Sequence, residues 1–145
     1  MITTIDLRRL ATQLDFVLAD AVLPELRAAS KEAAIRALVD RLAEVGAVPE
    51  VERDEIFAAV LRGESICPTA VGLGVAIPHA KHRTVRQVVA AIALCPDGVR
   101  FGGRDGLAVQ LIILLISPES DHAAHLDALR RLAQHLLAAA GLACR

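Results

Sequence analysis

A chain of 145 residues fits one domain with a substantial core, so a single domain over 1–145 is expected. Its content, 54% hydrophobic and 23% charged, excludes a disordered chain. A net charge of −1, with three Phe and neither Trp nor Tyr, argues against nucleic-acid binding through charge or base stacking.

The first residues, Met1-Ile-Thr-Thr-Ile-Asp6, contain no basic region leading into an apolar run, so no secretory signal is visible. The first ~25 residues leave two readings open: Leu7, Leu10, Leu14 and Val17 fit a helix, whereas Phe16-Val17-Leu18 fits a short strand. Ser30 predicts an N-cap for a helix over Lys31–Val45, with Ile35, Leu38, Leu42 and Val45 as its apolar stripe and Gly46 as its stop. Pro49 opens a second helix that carries Ile56, Phe57, Val60 and Leu61 toward the core. From Gly63 to Gly74 a loop is expected, punctuated by Pro68 and Gly72, and it feeds a strand at Val75-Ala76-Ile77.

Gln87–Leu94 and Ala108–Ile116 are near-continuous apolar runs of strand length, the pattern of a sheet covered on both faces. Pro96–Gly106 between them is turn-rich. The longest apolar segment, Leu107–Ile116, is about half the ~20 residues of a membrane span, so no membrane insertion is expected. A closing helix over Asp121–Ala139 turns Leu126, Leu129, Leu132 and Leu136 inward. This order predicts an α/β fold: one three-layer domain, a central mixed sheet flanked by helices on both faces. The sense of individual strand pairings stays open. Cys67, Cys95 and Cys144 are odd in number and widely spaced, which fits reduced thiols in a cytoplasmic protein, with Cys67 close to the Gly72–His79 segment.

Five histidines carry the chemistry: His79, His82, His122, His125 and His135. His135 lies late in the last helix and reads as structural. His82, in Lys81-His82-Arg83, reads as part of a solvated basic turn that attracts an acidic partner. His79 follows Gly72-Leu-Gly74-Val-Ala-Ile-Pro78, where glycines permit close backbone approach and proline fixes the direction of the next residue. Such a histidine is presented, not packed. Roughly three quarters of an unperturbed imidazole is neutral and nucleophilic at pH 7. His125, in Asp121-His-Ala-Ala-His125, opens the last helix, where free N–H groups and the helix dipole favour a phosphate. His122 shares its face, and spacing alone does not choose between them. The same histidines also allow a zinc or nickel reading in which His79, His82, His122 and His125 converge.

Val75-Ala-Ile-Pro-His79, followed by Ala80-Lys81, resembles without a gap the phosphorylation site of enzyme IIA proteins of the sugar phosphotransferase system, in the fructose–mannitol class and its nitrogen-related branch. The similarity spans nearly the whole chain. Ser30-Lys31-Glu32 looks like that family's helix start, and Thr69, Gly72 and Gly74 match its threonine and later glycines. Glu64 matches its glutamate, whereas Gly63 stands where the family has an arginine and Arg62 lies one place earlier. Pro68 and Ala70 replace a serine and a glycine. Pro96–Phe101, Asp105-Gly106, Leu111–Ile116, Ser117-Pro118 and His125-Leu126-x-x-Leu129 follow in the family's order, and this alignment selects His125 over His122.

The resemblance implies a phosphocarrier that needs no metal, nucleotide or other cofactor. His79 would accept a phosphoryl group from the histidine-containing phosphocarrier protein and pass it to a IIB component, or use it to regulate a target protein. His125 would stabilise the transferring group. Thr69 would bond the phosphate or the far nitrogen of the His79 ring, Glu64 would orient the loop, and Gly72 and Gly74 would contribute to phosphate binding. Two other readings stay open: a docking module that works without phosphorylation, and the His-cluster metal protein.

Overall fold

The computed structural model describes residues 7–67, 69–72, 74–102 and 108–139. Pro68, Asp105-Gly106 and Cys144, singled out above, lie outside the described residues. Both readings of the N-terminal segment occur in succession. Helix α1 (Leu7–Gln13) is followed by strand β1 (Val17–Leu23), and Leu10, Leu14, Phe16 and Val17 are all buried.

Helix α2 (Lys31–Glu44) starts at the expected cap, where the Ala33 amide donates to Ser30 Oγ at 3.1 Å. It buries Ala34, Ile35, Leu38, Val39 and Leu42. Val45 lies outside that stripe as the C-cap, and Gly46 leaves the helix with a left-handed φ of 78°.

After Pro49, a 3-10 turn (Glu50–Glu52) runs into helix α3 (Arg53–Ile66). The loop expected from Gly63 therefore begins only after Ile66. Glycine weakens a helix interior by about 1 kcal/mol relative to alanine, an amount that tertiary packing readily outweighs. Here a Cβ on Gly63 would sit 3.8 Å from the His79 carbonyl oxygen, so the bare backbone lies close to the strand that carries His79. The next residue, Glu64, is 2% exposed and reaches forward to Thr69.

Two further corrections fall in the same region. Strand β2 (Ala70–Gly72) forms a hairpin with β3 (Val75–Ala76), turning at Gly74 with φ 76°. Of the basic turn expected at Lys81-His82-Arg83, Lys81 and His82 instead end strand β4 (His79–His82), and the turn begins at Arg83. Strand β5 (Val89–Val99) runs five residues beyond the expected Leu94, through Pro96-Asp97-Gly98, because an irregularity between Leu94 and Val99 absorbs the proline. Gly98, with φ 78°, lies so close to β6 (Val109–Pro118) that an added Cβ would meet Ala108 Cβ at 2.7 Å. Helix α4 (His122–Ala139) closes the fold.

The sheet order is β1-β5-β6-β3-β2, with β4 also paired to β6. β1 runs parallel to β5, β5 antiparallel to β6, and β3 and β4 both parallel to β6, so the sheet is mixed. Strands β3 and β4 are two parts of one path along β6, pairing Ala76 with Ile112 and His79 with Leu115, and interrupted by Ile77-Pro78.

Alternation along β6 divides the core into two clusters. Ile112, Leu114 and Ile116 join the residues buried by α2 and α3, while Leu111, Ile113 and Leu115 join Leu10 of α1 and Leu132 and Leu136 of α4. Two apolar faces of one sheet, each covered by helices, give the expected three layers. The six residues from Leu111 to Ile116 are all fully buried, as their unbroken apolar run requires.

Candidate functional site

β4 inherits this alternation. Ala80 packs with the α2/α3 cluster, and His79, its neighbour, turns its ring to the α4 side. The His79 side chain is half-buried, and its ring lies 5.2 Å from that of His125, centroid to centroid, with the planes tilted by 58°. Its Nδ1 donates to the Ile77 carbonyl at 2.8 Å. A carbonyl only accepts, so this bond places the ring proton on Nδ1 and leaves the lone pair on Nε2.

The position of that carbonyl has its own support. The Ile77 amide donates to the Thr69 carbonyl at 3.3 Å, and the Thr69 amide donates to the Glu64 carboxylate at 3.2 Å. The Thr69 hydroxyl donates to the same carboxylate. Glu64 thus ties the loop at Thr69 to α3. Thr69 does not bond the far nitrogen of the His79 ring, because Ile77 occupies that nitrogen and Glu64 occupies the threonine hydroxyl. Gly74 anchors the hairpin on the sheet: its carbonyl accepts from the amides of Gln110 at 2.8 Å and Leu111 at 3.0 Å. Gly72 pairs with Val75 across the same hairpin.

His125 lies in the first turn of α4. The Asp121 carboxylate caps that turn by accepting from the Ala124 amide at 3.0 Å, and the His125 amide donates to the Asp121 carbonyl at 3.2 Å. The His125 residue is 5% exposed. Burial pushes its imidazole down to about 4, with further lowering from His79, Lys81 and His122, so the ring is neutral at pH 7. Its Nδ1 lies 2.7 Å from Ser117 Oγ. His125 also continues the buried face of α4 toward Ala128, Leu132 and Leu136, so it belongs to site and core at once. Leu126, expected to point inward, is 53% exposed because it falls one residue off that face.

The other histidines separate. His122 is exposed, and its Nδ1 accepts from the Lys81 ammonium at 2.9 Å, a bond that ties α4 to β4 beside His79. His82 is 4% exposed and faces α3. Its Nε2 donates to Glu55, while its Nδ1 accepts from the Thr84 amide at 3.3 Å and lies 2.8 Å from the Thr84 hydroxyl. The solvated reading of His82 is overturned: a strand residue at this register must enter the helix-covered face. His79 and His82 therefore lie on opposite sides of the sheet, and the four imidazoles of the metal reading do not converge.

Glu52, Glu55 and His82 form a compact group on the α3 side, but the Arg83 guanidinium already pairs with both carboxylates. His135 keeps its structural reading, donating from Nδ1 to the Arg131 carbonyl at 3.0 Å. Cys67 is exposed at the end of α3, and burial pushes the Cys95 thiol up to about 11.

Sequence reasoning missed Ser117, the Ile77 carbonyl and the Lys81–His122 contact. Ser117 left a trace, as the first polar residue after six apolar ones. A backbone acceptor leaves none.

Among the described residues no helix is long and apolar enough to cross a membrane. Residues 15–140 match the family model described as phosphoenolpyruvate-dependent sugar phosphotransferase system, EIIA 2. The chain is 38% identical over 122 residues to the nitrogen regulatory protein of Bradyrhizobium diazoefficiens, covering 84% of this chain and 78% of the relative. The crystal structure of nitrogen regulatory protein IIA-Ntr from Neisseria meningitidis superposes with a TM-score of 0.74 at 28% identity, covering 82% of this chain and 80% of that one. A complex of the mannitol enzyme IIA with phosphorylated enzyme IIB from Escherichia coli contains a chain that matches with a TM-score of 0.64 at 27% identity, covering 78% of each chain. With a matched region that takes in β1 through α4 and both facing histidines, the chain belongs to the type 2 EIIA family of the phosphoenolpyruvate-dependent sugar phosphotransferase system.

Proposed function

We propose that this protein is a phosphohistidine carrier in which His79 Nε2 accepts a phosphoryl group from the histidine-containing phosphocarrier protein. One observation carries the reading: Nδ1 of His79 is occupied by the Ile77 carbonyl, which leaves Nε2 as the nucleophilic nitrogen of a half-exposed ring beside His125. In the transfer the His79 Nε2 lone pair attacks phosphorus and a new N–P bond forms. The donor's N–P bond breaks, and its electron pair stays on the donor ring. Between two protein-bound nucleophiles such a step needs positioning and donors for the phosphoryl oxygens, and no cofactor.

His125 supplies such a donor as a neutral ring in the capped first turn of α4, where the helix dipole also favours the phosphoryl charge. In onward transfer a nucleophile of a IIB component attacks phosphorus, the His79 N–P bond breaks and its electron pair returns to Nε2; without that step the group stays on His79 as a regulatory mark. The likeness to a IIA chain solved with phosphorylated IIB supports the first outlet, and the likeness to nitrogen regulatory proteins supports the second.

The test is incubation with the general phosphotransferase proteins and labelled phosphoenolpyruvate. One acid-labile, base-stable label per chain is expected, lost in His79→Ala and strongly slowed in His125→Ala. A folded wild-type protein that takes no label refutes the carrier and favours a docking module.

A further inference from the structure

We propose that Ser117 is a positioning residue that sets the tautomer of His125, holding its proton on Nε2, the nitrogen available to a phosphoryl group on His79. The inference rests on the carrier reading for its purpose, but the hydrogen-bond argument stands alone. Ser117 is the penultimate residue of β6 and fully buried; it pairs across the ladder with Lys81, two residues beyond His79. By strand alternation its side chain follows Ile113 and Leu115 onto the face covered by α4, and there its Oγ lies 2.7 Å from His125 Nδ1.

Two assignments satisfy that distance. In one, His125 Nδ1–H donates to Ser117 Oγ, and the serine hydroxyl must find its own acceptor. Among the described residues Ser117 Oγ has His125 Nδ1 as its hydrogen-bond partner and no second one. This arrangement would bury an O–H without an acceptor, at a cost of about 1–3 kcal/mol. In the other, Ser117 O–H donates to Nδ1, and both atoms of the contact are satisfied. A neutral ring carries one N–H, which must then be on Nε2.

The two facing imidazoles thus hold opposite tautomers. His79 is protonated on Nδ1 by its bond to a carbonyl and offers the Nε2 lone pair, while His125 accepts at Nδ1 and offers an Nε2–H. One ring is made a nucleophile and the other a donor by one acceptor and one donor at corresponding nitrogens.

The experiment is long-range ¹H–¹⁵N correlation of the histidine side chains in the unphosphorylated full chain at neutral pH, for wild type, Ser117→Ala and Ser117→Thr. Wild type is expected to show an unprotonated Nδ1 and a protonated Nε2 on His125, with the reverse on His79. Ser117→Ala is expected to lose the single His125 tautomer and to slow labelling of His79 by about tenfold or more, the scale of a lost transition-state donor. Ser117→Thr restores both.

A wild-type His125 protonated on Nδ1 overturns the proposal. So does a Ser117→Ala protein that keeps both the tautomer and the labelling rate. If the alanine variant fails to fold, seen in its backbone amide spectrum, Ser117→Cys, with similar volume and a weaker donor, takes its place under the same criteria. Because the tautomers are read without phosphate, a wild type that takes no label refutes the carrier reading while the spectra still decide the role of Ser117.

Discussion

The carboxylate of Glu64, on α3, holds Thr69 by two donors at once, the backbone amide at 3.2 Å and the side-chain hydroxyl. From Thr69 the path runs through the Ile77 amide and carbonyl to the His79 ring, so a helix side chain fixes an imidazole on the far side of a loop. Glu64→Ala removes the acceptor for both donors, and stability is expected to fall by about 1–3 kcal/mol, read by urea denaturation at unchanged slope. Labelling of His79 should slow as its ring loses a fixed orientation. A variant as stable and as readily labelled as wild type would show that the chain of bonds is incidental.

Acid should weaken the fold through His125. Its folded-state value, about 4, lies below the ordinary histidine value of 6.5, because burial and the nearby His79, Lys81 and His122 disfavour its charged form. A depressed histidine binds fewer protons folded than unfolded, so the penalty is absent above the unfolded value and grows as pH falls below it. Between pH 7 and pH 5 the loss is expected to be on the order of 1–2 kcal/mol. Denaturation midpoints across that range, compared with His125→Asn, check the assignment: the variant should lose this part of the slope. An identical slope in both proteins would place the acid sensitivity elsewhere.

His82 provides the opposite control. It is as buried as His125 but bonded to Glu55 and Thr84 on the α3 side of the sheet. His82→Ala should therefore cost about 1–3 kcal/mol by leaving the Thr84 amide without its partner and opening space under α3. At a temperature where the variant is folded, His79 labelling should stay within a factor of about two of wild type, because no transition-state contact is removed. A large loss of labelling without a loss of stability would put His82 in the site.

The contrast between His79 and His82 marks how far the fold and site were legible in the sequence. The glycines and proline before His79 singled out that histidine, the helix start left His122 and His125 as alternatives until the family resemblance chose His125, and the two long apolar runs identified the central strands. Spacing did not reveal that β4 continues through Lys81-His82. A four-residue strand carrying three charged or titratable side chains has no apolar alternation of its own, and its pairing with His79↔Leu115 to His82↔Pro118 is set entirely by β6. Glycine misled at Gly63, where helix propensity was outweighed by the close approach of α3 to the His79 carbonyl. Proline misled at Pro96, which a strand irregularity accommodates. The partners of the two site rings, a main-chain carbonyl and a serine eight residues from its histidine, are tertiary facts with no local signature.

Leu132 tests whether the site depends on the seating of α4. Its side chain is fully buried two turns beyond His125 on the same helix face, among Ala128, Leu136 and the inward residues of β5 and β6. The sheet side of this contact is rigid, since Leu111, Ile113 and Leu115 are themselves fully buried, so a cavity there closes only in part. Leu132→Ala is expected to cost about 2–5 kcal/mol. Relaxation of α4 toward the space would shift its first turn, where Asp121 caps and His125 meets Ser117, and a displacement of ~1 Å is enough to impair a positioned donor. The variant should thus slow His79 labelling under conditions where it is fully folded, while Leu38→Ala, an equally buried leucine on the α2 side, should lower stability alone. Equal effects of the two variants on labelling would mean that the helix face behind His125 has no special hold on the site.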